Sequence, residues 1–276
     1  MVEFWSNLLA SLAIESGKSV ITNWMVVRLW GKKLLVCLKL KRGSTNILVI
    51  GRANTGKTVL SDCLKGKSQQ TEYELPNTSN IVETEYFIWG KKIKLVKVIP
   101  GQDEKRNPWF ANDIPKEKKI EGFIYVVDWG YTNARDDRTK QLWISQGLDT
   151  IEKLRQFHLE KEIEDLRFAL RDIERYYTSN NLPKWIIIAV NKVDLFKDKI
   201  DDAQNYYSNP ASPFVKEINK TLNTIGTTHI KYKVLPICSF ENDFIWNNET
   251  VKTDLGGTSS RNQLVKLFKT EIENLL

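Results

Sequence analysis

The sequence is poor in the residues that build metal and redox sites. Its 276 residues include three cysteines and two histidines. Cys37, Cys63 and Cys238 are scattered, with no pair at a ligand or redox spacing. That excludes a disulfide framework and points to a reducing, cytoplasmic setting. His158 and His229 lie far from each other and from the cysteines, so each reads as an ordinary core or surface residue. Long apolar runs are missing too. The longest uncharged stretches of the N-terminal part, Phe4–Ile14 and Ser19–Val27, are too short to span a bilayer. No basic residue precedes the first, unlike a secretory leader. Position 2 is Val, not the glycine of a myristoylation signal.

Basic residues are in excess, but only at one end. The chain carries a net +7, and residues 1–42 hold seven bases and two acids, +5 of that total. Residues 43–276 are therefore near neutral, and no specific nucleic-acid partner is expected. The 1–42 extension is also apolar. Phe4, Trp5, Leu8, Leu9 and Leu12 fall at helical spacing, and Val20–Trp30 leads into "KKLLVCLKLKRG". Two readings stand open. The extension packs on the domain or on a protein partner, or it lies peripherally on an anionic membrane with Trp5, Trp24 and Trp30 at the interface.

From residue 43 to 276 strand-like and helix-like segments alternate. "NILVIG" reads as a short buried strand, and "ETEYFIWGKKIKLVKVIPG" as two strands joined by a Gly-Lys turn. "GFIYVVD" and "KWIIIAVNKVD" are near-continuous apolar runs rich in β-branched residues, suited to central parallel strands covered on both faces. "KVLPICS" is a further short strand. The closing "RNQLVKLFKTEIENLL" predicts an amphipathic helix with Leu264, Leu267, Phe268 and Ile272 on one side. A charged segment at about 129–182 predicts a helical insertion, with Ile163, Leu166, Leu170, Ile173 and Tyr177 as one stripe and Leu148, Ile151 and Leu154 as an earlier one. The whole implies an α/β fold with a mostly parallel sheet.

Two motifs carry chemistry. "GRANTGKT", Gly51–Thr58, matches G-x-x-x-x-G-K-[ST] between a strand and a helix-like segment. Its glycines let the backbone curl so that N–H groups face phosphate oxygens, and the helix N-terminus adds positive potential. Lys57 would reach β- and γ-phosphates, and the Thr58 hydroxyl would ligate Mg2+. "WIIIAVNKVD" then sets Asn191, Lys192 and Asp194 at the C-terminal end of a strand, the edge where open α/β sheets bind ligands. A carboxylate there can accept from the adjacent N1–H and N2–H2 donors of guanine, a pair that adenine lacks.

These motifs, in this order, resemble the Ras-like P-loop GTPase superfamily over roughly residues 45–128 and 184–276. The resemblance implies a three-layer P-loop NTPase fold and GTP or GDP as ligand. It also implies a switch that hydrolyses GTP slowly, or a non-catalytic nucleotide-bound scaffold with protein partners at the extension or the insertion. Gly51, Asn54, Thr55, Gly56, Lys57, Thr58 and Gly101 would bind phosphate. Lys57 and Gln102 would be catalytic, with Gln102 orienting water. Asn191, Lys192, Asp194, Cys238 and Ser239 would hold guanine. Thr58 and Thr78 would hold Mg2+, with Ser79 and Thr84 as alternatives to Thr78. The phosphate loop resembles that of the Era and MnmE group, which implies a K+ role for Asn54. "PNTSNIVETEYF" and "GQDEKRNPWF" look more like the ADP-ribosylation-factor group. One position departs from all of these. The family has an acid three residues before Gly101, and this chain has Val98. Asp103 and Glu104 are nearby carboxylates in sequence.

Overall fold

The computed structural model describes residues 47–69, 73–76, 81–89, 92–102, 106, 108, 112, 120–177, 183–225 and 230–276. The chain divides at Gly43/Ser44. The expectations for residues 1–42 lie outside the described residues.

Six strands form one sheet: β1 (Ile47–Ile50), β2 (Glu83–Trp89), β3 (Lys92–Val98), β4 (Gly122–Val127), β5 (Trp185–Val190) and β6 (Lys231–Pro236). Their order is β2-β3-β1-β4-β5-β6. All pairs are parallel except β2 with β3, whose register sets Trp89 opposite Lys92 and Glu83 opposite Val98. The helices are α1 (Lys57–Lys65), α2 (Asp137–Ser145), α3 (Ile151–Tyr177), α4 (Ile200–Ser208), α5 (Pro213–Ile225) and α6 (Thr258–Leu275).

Strand residues alternate between faces, and here both faces are apolar, so the core has two halves. Leu48, Ile50, Phe123, Tyr125, Ile186 and Ile188 pack under α3, α4 and α5 through Leu166, Leu170, Ile173, Tyr207, Phe214 and Ile218. Ile47, Val49, Val98, Ile124, Val126 and Ile187 pack under α1 and α6 through Leu60, Cys63, Val265, Phe268 and Ile272. This is a three-layer α/β fold with a mostly parallel central sheet flanked by helices. The central runs are buried along their whole length, as their unbroken apolar character predicts.

The charged segment at about 129–182 contains α2 and α3. Because β4 and β5 are parallel neighbours, their connection must cross over the sheet, and α3 is that crossover. Its Leu154, Leu166, Leu170 and Ile173 are core residues, while Ile163 is half-buried. In α6 the buried face is Arg261, Val265, Phe268 and Ile272. Leu264 is partly buried, and Leu267 is 63% exposed. The expected stripe was thus one position too wide, because a run of apolar residues at 264, 267 and 268 does not by itself say which edge meets the sheet.

A second, two-stranded sheet was not anticipated. β7 (Phe244–Trp246) and β8 (Glu249–Val251) form a hairpin, with Asn247 left-handed at its turn, φ 49°. Strands of three residues are too short for periodicity to announce them. Trp246 is buried and donates its indole N–H to Leu148 O at 2.7 Å, while Glu249 accepts from Ile151 N at 2.7 Å. The hairpin therefore anchors the start of α3. The α6 orientation sets a contrast: Phe268→Ala should cost about 3–5 kcal/mol in urea denaturation, whereas Leu267→Ala should stay within about 0.5 kcal/mol.

Candidate functional site

The loops after β1, β4, β5 and β6 meet at one edge of the sheet around a cavity of about 350 Å3, a size typical of small-ligand sites. Gly51–Thr58 runs from β1 into α1. Gly56 caps α1 in the left-handed region, φ 89°, with no side-chain cap bond and no acid in the first turn. The first N–H groups of α1 thus meet no side-chain acceptor at the cap, an arrangement that favours an anion. A Cβ on Gly56 would lie 2.5 Å from Asn191 Nδ2, so only glycine lets the loop close on β5.

Lys57 folds back over its own loop, its Nζ donating to Gly51 O at 2.9 Å and Arg52 O at 2.6 Å. Burial pulls its pKa down to about 8, opposed mainly by the charge of Asp165. Thr55 is buried and braces the loop from within, its hydroxyl donating to Arg52 O at 3.0 Å. Asn54 is left-handed, φ 65°, and its Nδ2 donates to Asn133 O at 3.1 Å. The Thr58 hydroxyl lies 3.4 Å from Glu83 Oε1.

At the other end, Asn191 joins three loops. Its Nδ2 donates to Thr55 O at 3.0 Å, and its Oδ1 accepts from Ser239 N at 3.1 Å. Lys192, left-handed at φ 61°, donates to Asn54 O at 3.0 Å, Asp128 Oδ2 at 2.7 Å and Tyr131 O at 2.5 Å. Asp194 is 2% exposed and accepts from Cys238 Sγ at 3.2 Å and from the Thr253 hydroxyl at 2.8 Å. Burial, reinforced by the Asp194 charge, holds the Cys238 thiol well above its usual range. It therefore stays a protonated donor.

The structure brings Gly51, Asn54, Thr55, Gly56, Lys57, Thr58, Gly101, Asn191, Lys192, Asp194, Cys238 and Ser239 into one constellation. Gly101 lies against the loop, where a Cβ would stand 2.2 Å from Ala53 N and 2.5 Å from Lys57 Nζ. Gln102 does not line this cavity itself. It borders an adjoining cavity of about 380 Å3 beside Arg52, Trp143 and Asp165, which shares Ala53, Asn54 and Gly101 with the first, and its buried Nε2 has no hydrogen-bond partner among the described residues. Thr78 and Ser79 lie outside the described residues. Thr84 is exposed and adjacent to Glu83 along β2, so it points to the opposite face of the strand from Glu83. Val98 is a buried core residue that also lines the cavity. Asp103 and Glu104 lie outside the described residues.

Four contributors carry no motif. Asp128, at the end of β4, receives Lys192 and the Thr132 hydroxyl, at 2.8 Å. Behind it, burial and the Asp128 charge raise the Glu162 pKa to about 8, and Tyr207 donates to Glu162 at 2.6 Å. Arg261 of α6, buried, binds Ser239 O and the Ser68 hydroxyl, clamping the Cys238–Ser239 turn. Thr253 reaches Asp194 from beyond β8. Glu83 reaches Thr58 from β2. Only the register of β2 against β3 could have signalled Glu83. The others depend on loop closure.

No protein-family model and no curated protein matches the sequence. Among solved structures, the chain is similar to the mammalian SRP receptor at 14% identity and TM-score 0.47, over 84% of this chain and 100% of that one. It is also similar to a GTP-binding protein from the archaeon Sulfolobus solfataricus in complex with GDP, at 15% identity and TM-score 0.44. That match takes in 93% of this chain and spans 61% of the other.

Proposed function

We propose that this chain is a guanine-nucleotide-binding protein of the Ras-like GTPase kind, working as a slow GTP-hydrolysing switch. One observation carries the reading. Asn191 and Lys192 tie the loop after β5, which bears Asp194, to the carbonyls of Thr55 and Asn54, so base-end and phosphate-end groups line a single cavity. In this reading Asp194 accepts from guanine N1–H and N2–H2, with Cys238 and Thr253 orienting the carboxylate. The loop N–H groups and the α1 N-terminus receive the phosphates, and Lys57 neutralises them. Mg2+, when bound, neutralises charge developing on the phosphates. The Thr58 hydroxyl beside a carboxylate oxygen is the donor chemistry that such a hard cation prefers. For K+ at Asn54, the Nδ2 is held by Asn133, and Oδ1 is the atom a cation would take. A terminal phosphate reaching Lys57 would meet Gly101 beside it, and a shift of that glycine on phosphate binding or loss is a means of switching.

A second reading keeps the nucleotide but drops the chemistry. The Gln102 side chain lines the neighbouring part of the cleft, which shares Ala53, Asn54 and Gly101 with the nucleotide cavity, and a nucleotide-bound scaffold acting through protein partners needs no water-orienting group. The basic extension and the α2–α3 segment are the proposed partner surfaces, with peripheral membrane contact as the alternative for the extension. No helix among the described residues is long and apolar enough to cross a membrane.

Three measurements test these readings. Asp194→Asn should weaken GTP binding at least about a hundredfold while gaining XTP, because an amide can donate to the C2 carbonyl of xanthine; unchanged base preference removes the guanine assignment. Nucleotide affinity should be flat up to pH about 8 and then fall up to about tenfold per unit. The sign follows from Lys57, whose pKa is about 8 and would be raised by bound phosphate, so binding is strongest where the lysine is already protonated. Isothermal titration at pH 7 and pH 9 reads this directly. In single-turnover assays, Lys57→Ala should abolish GTP cleavage and Gln102→Ala should slow it at least about tenfold. Tight GTP binding with no cleavage by the unaltered chain selects the scaffold.

A further inference from the structure

Position 98 lacks the carboxylate that a phosphate-bound cation would call for, and the cavity offers no obvious substitute. Of the described residues that line it, only Asp194 and Asp243 are acids. Asp194 holds Cys238 and Thr253, and Asp243 holds Lys252 at 2.7 Å and Thr253 N at 2.9 Å. Both stand at the base end.

Glu83 does not itself line the cavity and reaches its other end through Thr58, which does. Glu83 is the direct cross-strand partner of Val98. Residues opposite each other in an antiparallel pair share a face, their Cβ atoms about 5 Å apart. The two side chains therefore leave the sheet on the same side. β2 lies one strand farther from β1 than β3 does, about 4.8 Å, and the longer glutamate side chain partly offsets that distance. Glu83 and Glu85 occupy alternate positions and both reach α1. Glu85 is neutralised by Lys65 at 2.5 Å, whereas Glu83 reaches the Thr58 hydroxyl at 3.4 Å. That distance is at the weak end for an O–H···O bond. Among the described residues no lysine or arginine forms an ion pair with Glu83. Two oxygens at adjacent corners of an octahedral Mg2+ stand about 2.9 Å apart, so a shift of about half an ångström would let Thr58 and Glu83 share one ion.

We propose that Glu83 supplies the carboxylate of a divalent-cation site completed by Thr58 and the phosphates of a bound nucleotide, from the strand beside the one where Val98 stands. This rests on the guanine-nucleotide reading above. The alternative role, a hydroxyl–carboxylate contact that merely seats β2 on α1, predicts no metal dependence.

The test uses the full chain loaded with GDP. Mn2+ is titrated and followed by electron paramagnetic resonance, and release of a fluorescent GDP analogue is timed with Mg2+ and with chelator. In the unaltered protein, chelation should speed release at least about tenfold. In Glu83→Gln the Mn2+ midpoint should rise at least about tenfold, and release in Mg2+ should match the chelated rate of the unaltered protein. Metal-free GDP affinity should stay within about threefold, which also reports an intact site. Adding Val98→Asp should bring the midpoint back toward its original value. A Glu83→Gln midpoint equal to that of the unaltered protein overturns the Glu83 site alone. If Glu83→Gln does not fold, Glu83→Asp, with its shorter reach, is read by the same midpoint and the same criterion. Failure of the unaltered chain to bind GDP at all overturns the nucleotide reading and the cation site together.

Discussion

The site depends on the amide of Asn191. That group makes two bonds, one donated to Thr55 O and one accepted from Ser239 N, and so binds the loops after β1, β5 and β6 to each other. Both partners are buried backbone groups that would otherwise pay a desolvation cost. The geometry works only because Gly56 presents no Cβ to the same amide. Lys192 repeats the link one residue on, at Asn54 O. A carboxylate, a lysine and a ring of N–H groups borne on different strands are thereby held around one cavity, with the rigidity of the sheet behind them.

The sheet holds these loops in place because it is apolar on both faces. Parallel neighbours require crossovers, and each crossover helix covers the face it passes. The α3 helix illustrates how a segment can look like an appendage in sequence and prove to be part of the core. Its surface is charged, but Leu154, Leu166, Leu170 and Ile173 are packed on Phe123, Tyr125 and Ile186. The same helix carries titratable groups inward. Asp165 takes the Tyr125 hydroxyl at 2.6 Å and pairs with Arg106, which is 1% exposed. Glu162 lies behind Asp128. Breaking one member of such a buried set leaves its partner charged and unpaired, which costs far more than a surface ion pair is worth.

Much of this was legible from residues alone. The strands, their burial and the hairpin followed from apolar runs and a two-residue Gly-Lys turn. Gly51–Thr58 and Asn191–Asp194 named the two ends of the cavity, because only a few residue types can cradle phosphate or accept from two adjacent donors. Even the Glu83–Val98 pairing was implicit, since two strands read as joined by Gly-Lys would set 83 opposite 98, as the register does. Short β7 and β8, the clamp of Arg261 and the hydroxyl of Thr253 left no periodic trace.

The sequence by itself determined which chemical groups the protein owns and where the strands of its main sheet fall along the chain, because backbone preference and apolar pattern are local properties. It named Val98 as a missing acid and Gln102 as a candidate for orienting water. Only the tertiary structure decided that a carboxylate stands on the neighbouring strand beside Thr58, and that Gln102 turns into the adjoining part of the cleft, beyond Gly101. Those outcomes turn on strand register and loop closure, which bring together side chains far apart in the chain.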